Sequence, residues 1–270
     1  MKKSLDIKGK VAILTGASGG LGQAIAKSLA AQGMLLILVG RNQDQLMTLN
    51  KSLGGQHHCV AVDLETTEGR QYLADFCRQF RNGIQLLINN AGFSRFISFA
   101  DMTSVDIQKT INTNLLIPIE LSRLLLPLLT TQPNTQIINI GSAFGRLAFP
   151  GFSVYSASKF GLRGFSESLR RELAGTSLRV RYFAPRAMQT DMNTTTVSAM
   201  NKALGNHTDS PESVARILVK FIINSQAPEL FIGWPERLFG GVNSLCSRLV
   251  DRGLRAKQPI INRFLSGENI

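Results

Sequence analysis

Cysteine is scarce, with three residues in 270 and no C-x-x-C pair. The odd, scattered set of Cys59, Cys77 and Cys246 excludes a disulfide-stapled secreted scaffold and fits free thiols in a reducing compartment. Histidine is equally scarce, and His57, His58 and His207 lack metal-ligand spacing, so no metal is predicted. His57 and His58 stand at a strand start and read as solvent-facing. Aromatics make up 7% and do not interleave with the basic residues. That removes the stacking surface single-stranded nucleic acid needs, and no nucleic-acid partner is predicted.

Linkers rich in Gly, Ser or Pro are missing, and so are internal repeats. Long hydrophobic runs are missing too. "MLLILV" at 34–39 is too short to span a bilayer, and Glu120 and Arg123 interrupt the apolar stretch at 115–129. The basic start "MKKSLDIKGK" is not followed by the apolar segment of a signal peptide. These absences predict a soluble, cytoplasmic protein. Acidic residues are few, 18 against 30 Lys and Arg, for a formal charge of +12. Such a balance suits an anionic cofactor, substrate or membrane surface.

What is present is a long alternation. A chain that is 44% hydrophobic can bury a sizeable core. "VAILT" from Val11 reads as a strand, and "GLGQAIAKSLAAQG" as a helix with Leu21, Ile25 and Leu29 on one face. Further strands are "LLILV", "HCVAVDL", "QLLINNAG", "QIINIGS", "RVRYFAP" and "ELFIG". Helices are predicted over 43–53, 67–81, 104–129 and 154–174, and another opens at Pro211 with Ser210 as its N-cap. Strands without polar alternation are covered on both faces. The order therefore predicts an α/β fold: a doubly wound parallel sheet in three layers, with its ligand site at the carboxyl ends of the strands.

"TGASGGLG" at 15–22 joins the first strand to the first helix. Gly16, Gly20 and Gly22 permit a tight turn and a close approach of phosphate to the helix start. The second strand ends in Gly40-Arg41, with no carboxylate before Asp44. A guanidinium there can pair with a ribose 2′-phosphate, which argues for NADP(H). The alternative is a solvated surface arginine.

Tyr155 and Lys159 are four residues apart in "SVYSASKFGL", so on a helix they share a face. Ser142 stands at the end of the fifth strand and Asn114 in "INTNL". Taken in order with the glycine turn and "NNAG" at 89–92, these pieces resemble the short-chain dehydrogenase/reductase family over about residues 8–231. The resemblance implies a Rossmann fold and hydride transfer between NADP(H) and a ketone or aldehyde, or an alcohol in reverse. It implies that Tyr155 donates or accepts the proton and that Lys159 lowers the tyrosine pKa and holds the nicotinamide ribose. Ser142 would hydrogen-bond the carbonyl, and Asn114 would hold a relay water. Gly16, Ser18, Gly20, Leu21 and Gly22 would line the cofactor with Arg41. Asp63 and Leu64 would border adenine. Asn90, Ala91 and Gly92 would line the cleft, and Pro185 and Thr190 would meet the carboxamide end. A homodimer or homotetramer is implied as well.

The chain departs from the family pattern in two places. Gly19 stands where a basic residue is common, which leaves NADP preference to Arg41 with Ser18. Arg186 follows Pro185 where glycine is usual, and reads as narrowing that loop, as a contact to an anionic substrate group, or as an exposed arginine at a permissive site. The Thr-rich span 186–209 corresponds to the family's mobile lid. In it, Met188, Met192, Val197, Met200 and Leu204 either face an apolar substrate or pack on the body. Cys59 reads as a core thiol.

The domain reading is 1–234 for the dehydrogenase core and 235–270 for an amphipathic, basic extension. The extension sets Leu238, Phe239, Val242, Leu245, Cys246, Leu249, Val250 and Leu254 on one stripe, with Arg237, Arg248, Arg252 and Arg255 off it. It packs on its own domain or a second subunit, which is the favoured reading, or roofs the substrate cleft, or lies on an anionic membrane surface, ranked third. A non-catalytic NADP-binding sensor or membrane-associated module on the same fold is the alternative to the enzyme.

Overall fold

All five residues of β1 (Val11–Thr15), four of them aliphatic, are buried, because the strand is covered by helices on both faces. A computed structural model shows this arrangement for residues 5–80, 83–190, 192–233, 241–243 and 246–267. The seven strands are parallel and ordered β3-β2-β1-β4-β5-β6-β7. They are β1, β2 (Leu35–Gly40), β3 (His58–Ala61), β4 (Leu86–Asn89), β5 (Gln136–Ile140), β6 (Arg179–Ala184) and β7 (Glu229–Phe231). The order reverses between β1 and β4, where Leu14 pairs with Ile88. A crevice opens at such a point beyond the carboxyl ends of the strands.

Helices α1 (Gly20–Ala30), α2 (Gln43–Ser52) and α8 (Pro211–Asn224) cover one face, and Leu21, Ile25 and Leu29 of α1 enter the larger core. Helices α3 (Thr67–Cys77), α5 (Ile117–Thr130) and α6 (Ser153–Glu172) cover the other. Each fully buried aliphatic side chain contributes about 1.5–3 kcal/mol. Most helices begin on a side-chain cap: Asn42, Thr66 and Ser210 accept from Gln45, Gly69 and Ser213 N–H. Helix α4 (Ser104–Ile111) starts on a reciprocal Thr103–Asp106 capping box.

The predicted helix over 104–129 is continuous but not uniform. A π turn at Asn112–Leu116 joins α4 to α5. By length and composition the whole stretch Ser104–Thr130 is apolar enough to cross a bilayer, despite Glu120 and Arg123. Here Ile117, Leu121, Leu125 and Leu129 spend that hydrophobicity against the sheet.

The Thr-rich span at the lid contains a helix that the sequence reading did not anticipate. Helix α7 (Thr195–Ala203) is capped by Thr194, and Val197 and Met200 are buried beneath it. The last helix, α9 (Ser247–Leu265), buries Val250, Ile261 and Phe264 and continues through Pro259. Phe264 joins Phe152, Val197 and Met200 in a separate core. The 234/235 boundary lies outside the described residues, as do Arg237, Leu238, Phe239 and Leu245 of the stripe.

The histidines correct the sequence reading. His57 is buried, not solvent-facing: its Nδ1 accepts from Leu36 N–H at 3.3 Å, and Asn50 bonds its backbone on both sides. Burial, and then His58, lower its pKa. His58 is half-buried against the edges of Phe76 and Phe80. Cys59 is half-buried, and burial raises its pKa against a bond from Asn50. Among the described residues no three His, Cys, Asp or Glu side chains group as metal ligands do.

Candidate active site

The glycine turn is built by what a side chain would hit. Gly16 has φ of +63°, and a Cβ there would lie 2.9 Å from Ala91 Cα. A Cβ on Gly22 would lie 2.1 Å from Gly16 O. Helix α1 therefore starts hard against β4. Thr15 fastens the two strands: its hydroxyl accepts from Asn90 and Ala91 N–H at 2.9 and 3.0 Å. Asn90 Nδ2 returns bonds to Thr15 O and Gly16 O.

Helix α1 differs from its neighbours at its start. Gly19 gives it no side-chain cap, and its first turn holds no acidic residue. Its first N–H groups and positive dipole end are left for an anion. The chain thus fits a dinucleotide pyrophosphate at this turn.

The turn opens into a cleft of about 1000 Å³. Every cofactor residue named from the sequence lines it. Ser18, Gly20, Leu21 and Gly22 lie at the α1 start, and Arg41 at the end of β2. Arg41 is exposed, and Ser18 Oγ lies 3.4 Å from where a Cβ on Gly40 would be. Asp63 and Leu64 follow β3, and Asn90, Ala91 and Gly92 follow β4. Pro185 follows β6, and Thr190 faces Gly20 across the gap.

Ser142, Tyr155 and Lys159 meet on the floor. Strand β5 ends just before Ser142, and Tyr155 and Lys159 lie one turn apart on α6. The Ser142 hydroxyl accepts from Phe144 N–H at 3.1 Å and lies close enough to Tyr155 to lower its pKa against burial. The Tyr155 ring packs on Phe144 and Phe152. Lys159 is buried; its Nζ donates to Ile140 O at 2.9 Å and lies 5.7 Å from the Tyr155 ring centre.

The titration of this pair departs from expectation. Burial raises the Tyr155 pKa, against the lowering effect of Ser142. Lys159 is spent on Ile140 O, and its own pKa is lowered by burial to about 8. A lysine that is itself disfavoured as a cation gives the phenol little to lean on.

Asn114 is also placed differently from the expected water holder. Its Oδ1 accepts from Phe93 N–H at 2.8 Å, and its Nδ2 donates to Phe93 O and Ser158 Oγ. The side chain is fully used in docking the loop after β4 onto α6. Its main-chain carbonyl is another matter. Four residues on stands Pro118, which has no N–H to give, so that carbonyl loses its usual helical donor. The π turn sits at this point, as such turns often do at functional sites.

Tyr182 was missed. It is fully buried under the trio, and its hydroxyl accepts from Ser142 N–H at 3.3 Å and bonds Lys159 O. Gly141 and Gly145 make room for its ring, since a Cβ on either would fall about 2.0 Å from it. A tyrosine in a buried strand, opposite two glycines, was the available signal.

Arg186 is neither exposed nor free to read a substrate. Its Nε and Nη2 reach the Asp209 carboxylate at 2.9 Å each, with both side chains largely covered. Main-chain bonds from Asp209 N–H to Ala187 O and from Gln189 N–H to Asp209 O complete the joint. The two stems of the lid are therefore clamped together. Above it Met188, Met192, Val197, Met200 and Leu204 all line the cleft. The C-terminal segment roofs it: Val242, Leu249, Val250 and Leu254 reach the lining. The same helix packs on its own domain through Ile261 and Phe264, so the first two readings of the tail merge.

With this geometry in place, similarity to known proteins is informative. The model of the short chain dehydrogenase family matches residues 10–201. The ketoacyl reductase HetN of Nostoc sp. is 38% identical over 222 residues, 81% of this chain and 77% of that protein. The 3-oxoacyl-acyl-carrier-protein reductase FabG of Escherichia coli is 31% identical over 188 residues, 70% of this chain and 77% of that protein. A short chain dehydrogenase from Burkholderia cenocepacia in complex with NADP superposes with a TM-score of 0.78. It is 26% identical, and the match covers 86% of this chain and all 100% of that one. The chain belongs to the short-chain dehydrogenase/reductase family. It is an oxidoreductase working between carbonyl and alcohol.

Proposed function

We propose that the chain is an NADPH-dependent reductase of a ketone or aldehyde, able to run the alcohol oxidation in reverse. The observation that carries this reading is the convergence of the Ser142–Tyr155 pair and Lys159 on a cleft that begins at an uncapped glycine turn. Bound NADP(H) would supply the hydride at nicotinamide C4. The residues of the chain supply the rest.

Reduction of a carbonyl needs one hydride on carbon and one proton on oxygen. Tyr155 Oη gives that proton. Burial keeps the phenol protonated, which suits donation. Ser142 Oγ donates to the same oxygen as negative charge gathers there. Lys159, with a pKa near 8, holds a proton it can surrender around neutral pH, and so refills the phenolate. The Asn114 carbonyl, to which Pro118 offers no i+4 N–H, is where a relay water would sit. Thr15, Asn90, Ala91 and Gly92 shape the floor. Arg41 and Ser18 hold a 2′-phosphate, with no carboxylate between Gly40 and Asp44 to repel it. Asp63 and Leu64 would border adenine; Pro185 and Thr190 would meet the carboxamide end. The NADP bound to the Burkholderia relative is in accord with this choice.

Replacing Tyr155 by Phe tests the reading. Ketone-dependent NADPH oxidation should fall by about 10²-fold or more, with NADPH binding by fluorescence retained. Turnover that survives refutes the assignment. Arg41→Ala should weaken NADPH by about tenfold or more and leave NADH little changed; an equal loss on both refutes the phosphate contact.

A further inference from the structure

Building on the reductase reading above, we propose that helix α9 is a wall of the substrate chamber and that Gly253 sets its depth. The substrate is a ketone with an extended apolar body that ends in an anionic group at Lys257.

Three side-chain positions carry the argument. Leu249, Gly253 and Lys257 all line the cleft, and each is four residues from the next. On a helix they stack on one face over about 12 Å. Read from one end, that face is apolar, then bare, then cationic. The opposite wall is apolar: Phe144 stacks on Phe149 at 5.4 Å, and Phe152 lies 6.1 Å from Tyr155. The lid closes a third side with Val197 and Met200.

Gly253 is the most telling of the three. It sits inside a 19-residue helix, with nothing within 4 Å of where its Cβ would be. Interior glycine costs a helix about 1 kcal/mol relative to alanine. No packing neighbour or backbone geometry requires the glycine. What the missing side chain leaves is room in the cleft. Leu249, one turn earlier, is 60% exposed, a large apolar surface facing the same space. Both features fit a chain-like apolar ligand laid along α9.

The charge of the lining sets the far end. Among the described residues the carboxylates that line the cleft are Asp63 and Glu65, both just after β3 on the glycine-turn side. On the α9 side the lining charge is Lys257. A cationic tail would meet repulsion there, and a carboxylate a partner.

Three probes test this: 2-butanone, 2-dodecanone and 11-oxododecanoate. In the wild type kcat/KM should rise along that series. Gly253→Trp, whose indole extends from an open Cβ position, should lose about tenfold more on the two long probes than on butanone. Lys257→Gln should raise KM for the keto acid about three- to fivefold more than for 2-dodecanone. Equal losses on long and short probes, or on charged and neutral ones, would overturn the proposal. Dodecanoate, which no reductase of this kind can turn over, gives a second readout. It should raise the melting temperature of the wild type and do so much less for Gly253→Trp and Lys257→Gln; no shift in the wild type overturns the proposal. If the wild type reduces none of the ketones, the reductase reading fails, and the dodecanoate shift still decides this one.

Discussion

Lys159 should be a liability for folding, and replacing it by Met should show this. Its pKa is about 8 in the fold against 10.5 for the free side chain, with burial as the cause. A lowered lysine pKa means that the native state resists the proton that the unfolded chain accepts. Below pH 8 both states are protonated, and the native state bears the full cost of a buried cation. Between about pH 8 and 10.5 the unfolded chain still holds a proton the native protein has released, so stability rises with pH. Above that window the cost is gone. Worked at about 1.4 kcal/mol per unit, it comes to about 3 kcal/mol at pH 7 and about 1 kcal/mol at pH 9.5. Lys159→Met removes the charge and keeps the length. It also loses the bond to Ile140 O, a cost of about 1–3 kcal/mol that offsets part of the gain. The pH dependence of the difference therefore carries the test. Urea unfolding of both proteins without cofactor should show the stability advantage of Lys159→Met shrinking by about 2 kcal/mol from pH 7 to pH 9.5. Other titrating groups are shared and cancel. A difference that stays flat across this range would refute the buried-cation account. Turnover should be lost at every pH.

The joint and the floor give two further predictions. Asp209→Asn breaks a largely covered ion pair, so limited proteolysis should cut the 186–209 span several-fold faster, with stability lower by about 1–2 kcal/mol; unchanged cleavage would show that the clamp does not hold the lid. Tyr182→Phe leaves Ser142 N–H without its buried partner, at about 1 kcal/mol, and should lower kcat several-fold while leaving NADPH affinity unchanged. An unaltered kcat would remove Tyr182 from the positioning of Ser142.

The layered sheet was legible because its signals are local. Aliphatic runs such as Val11–Leu14 and the four-residue spacing of Leu21, Ile25 and Leu29 need no knowledge of distant residues. The cluster of Ser142, Tyr155 and Lys159 was legible for a similar reason: Tyr155 and Lys159 share one helix turn, and Ser142 follows a strand end. What escaped depends on partners far along the chain. Arg186 finds Asp209 across the lid, and Asn114 docks on Phe93 and Ser158. His57 reads as exposed until Asn50 and Leu36 are seen around it. The Lys159 titration could not be read from spacing, because spacing says two groups are near but not how dry the place is. Helix α7 was hidden by its threonines, since Thr194 and Thr195 look like loop until Val197 and Met200 find a core.

The bonds between Thr15 and the end of β4 also fix when the site can exist. They join residues 75 and 76 positions apart. On a growing chain, β1 is made with β2 on one side and an open edge on the other until Leu86–Asn89 has emerged. At about 5–20 residues per second that interval lasts several seconds. Throughout it the glycine turn lacks the backbone of Ala91 against which it closes, so a nascent chain has no cofactor to hold it and exposes an unpaired strand edge. Synthesis speed between residues 15 and 90 should therefore govern how much of this protein reaches its folded form.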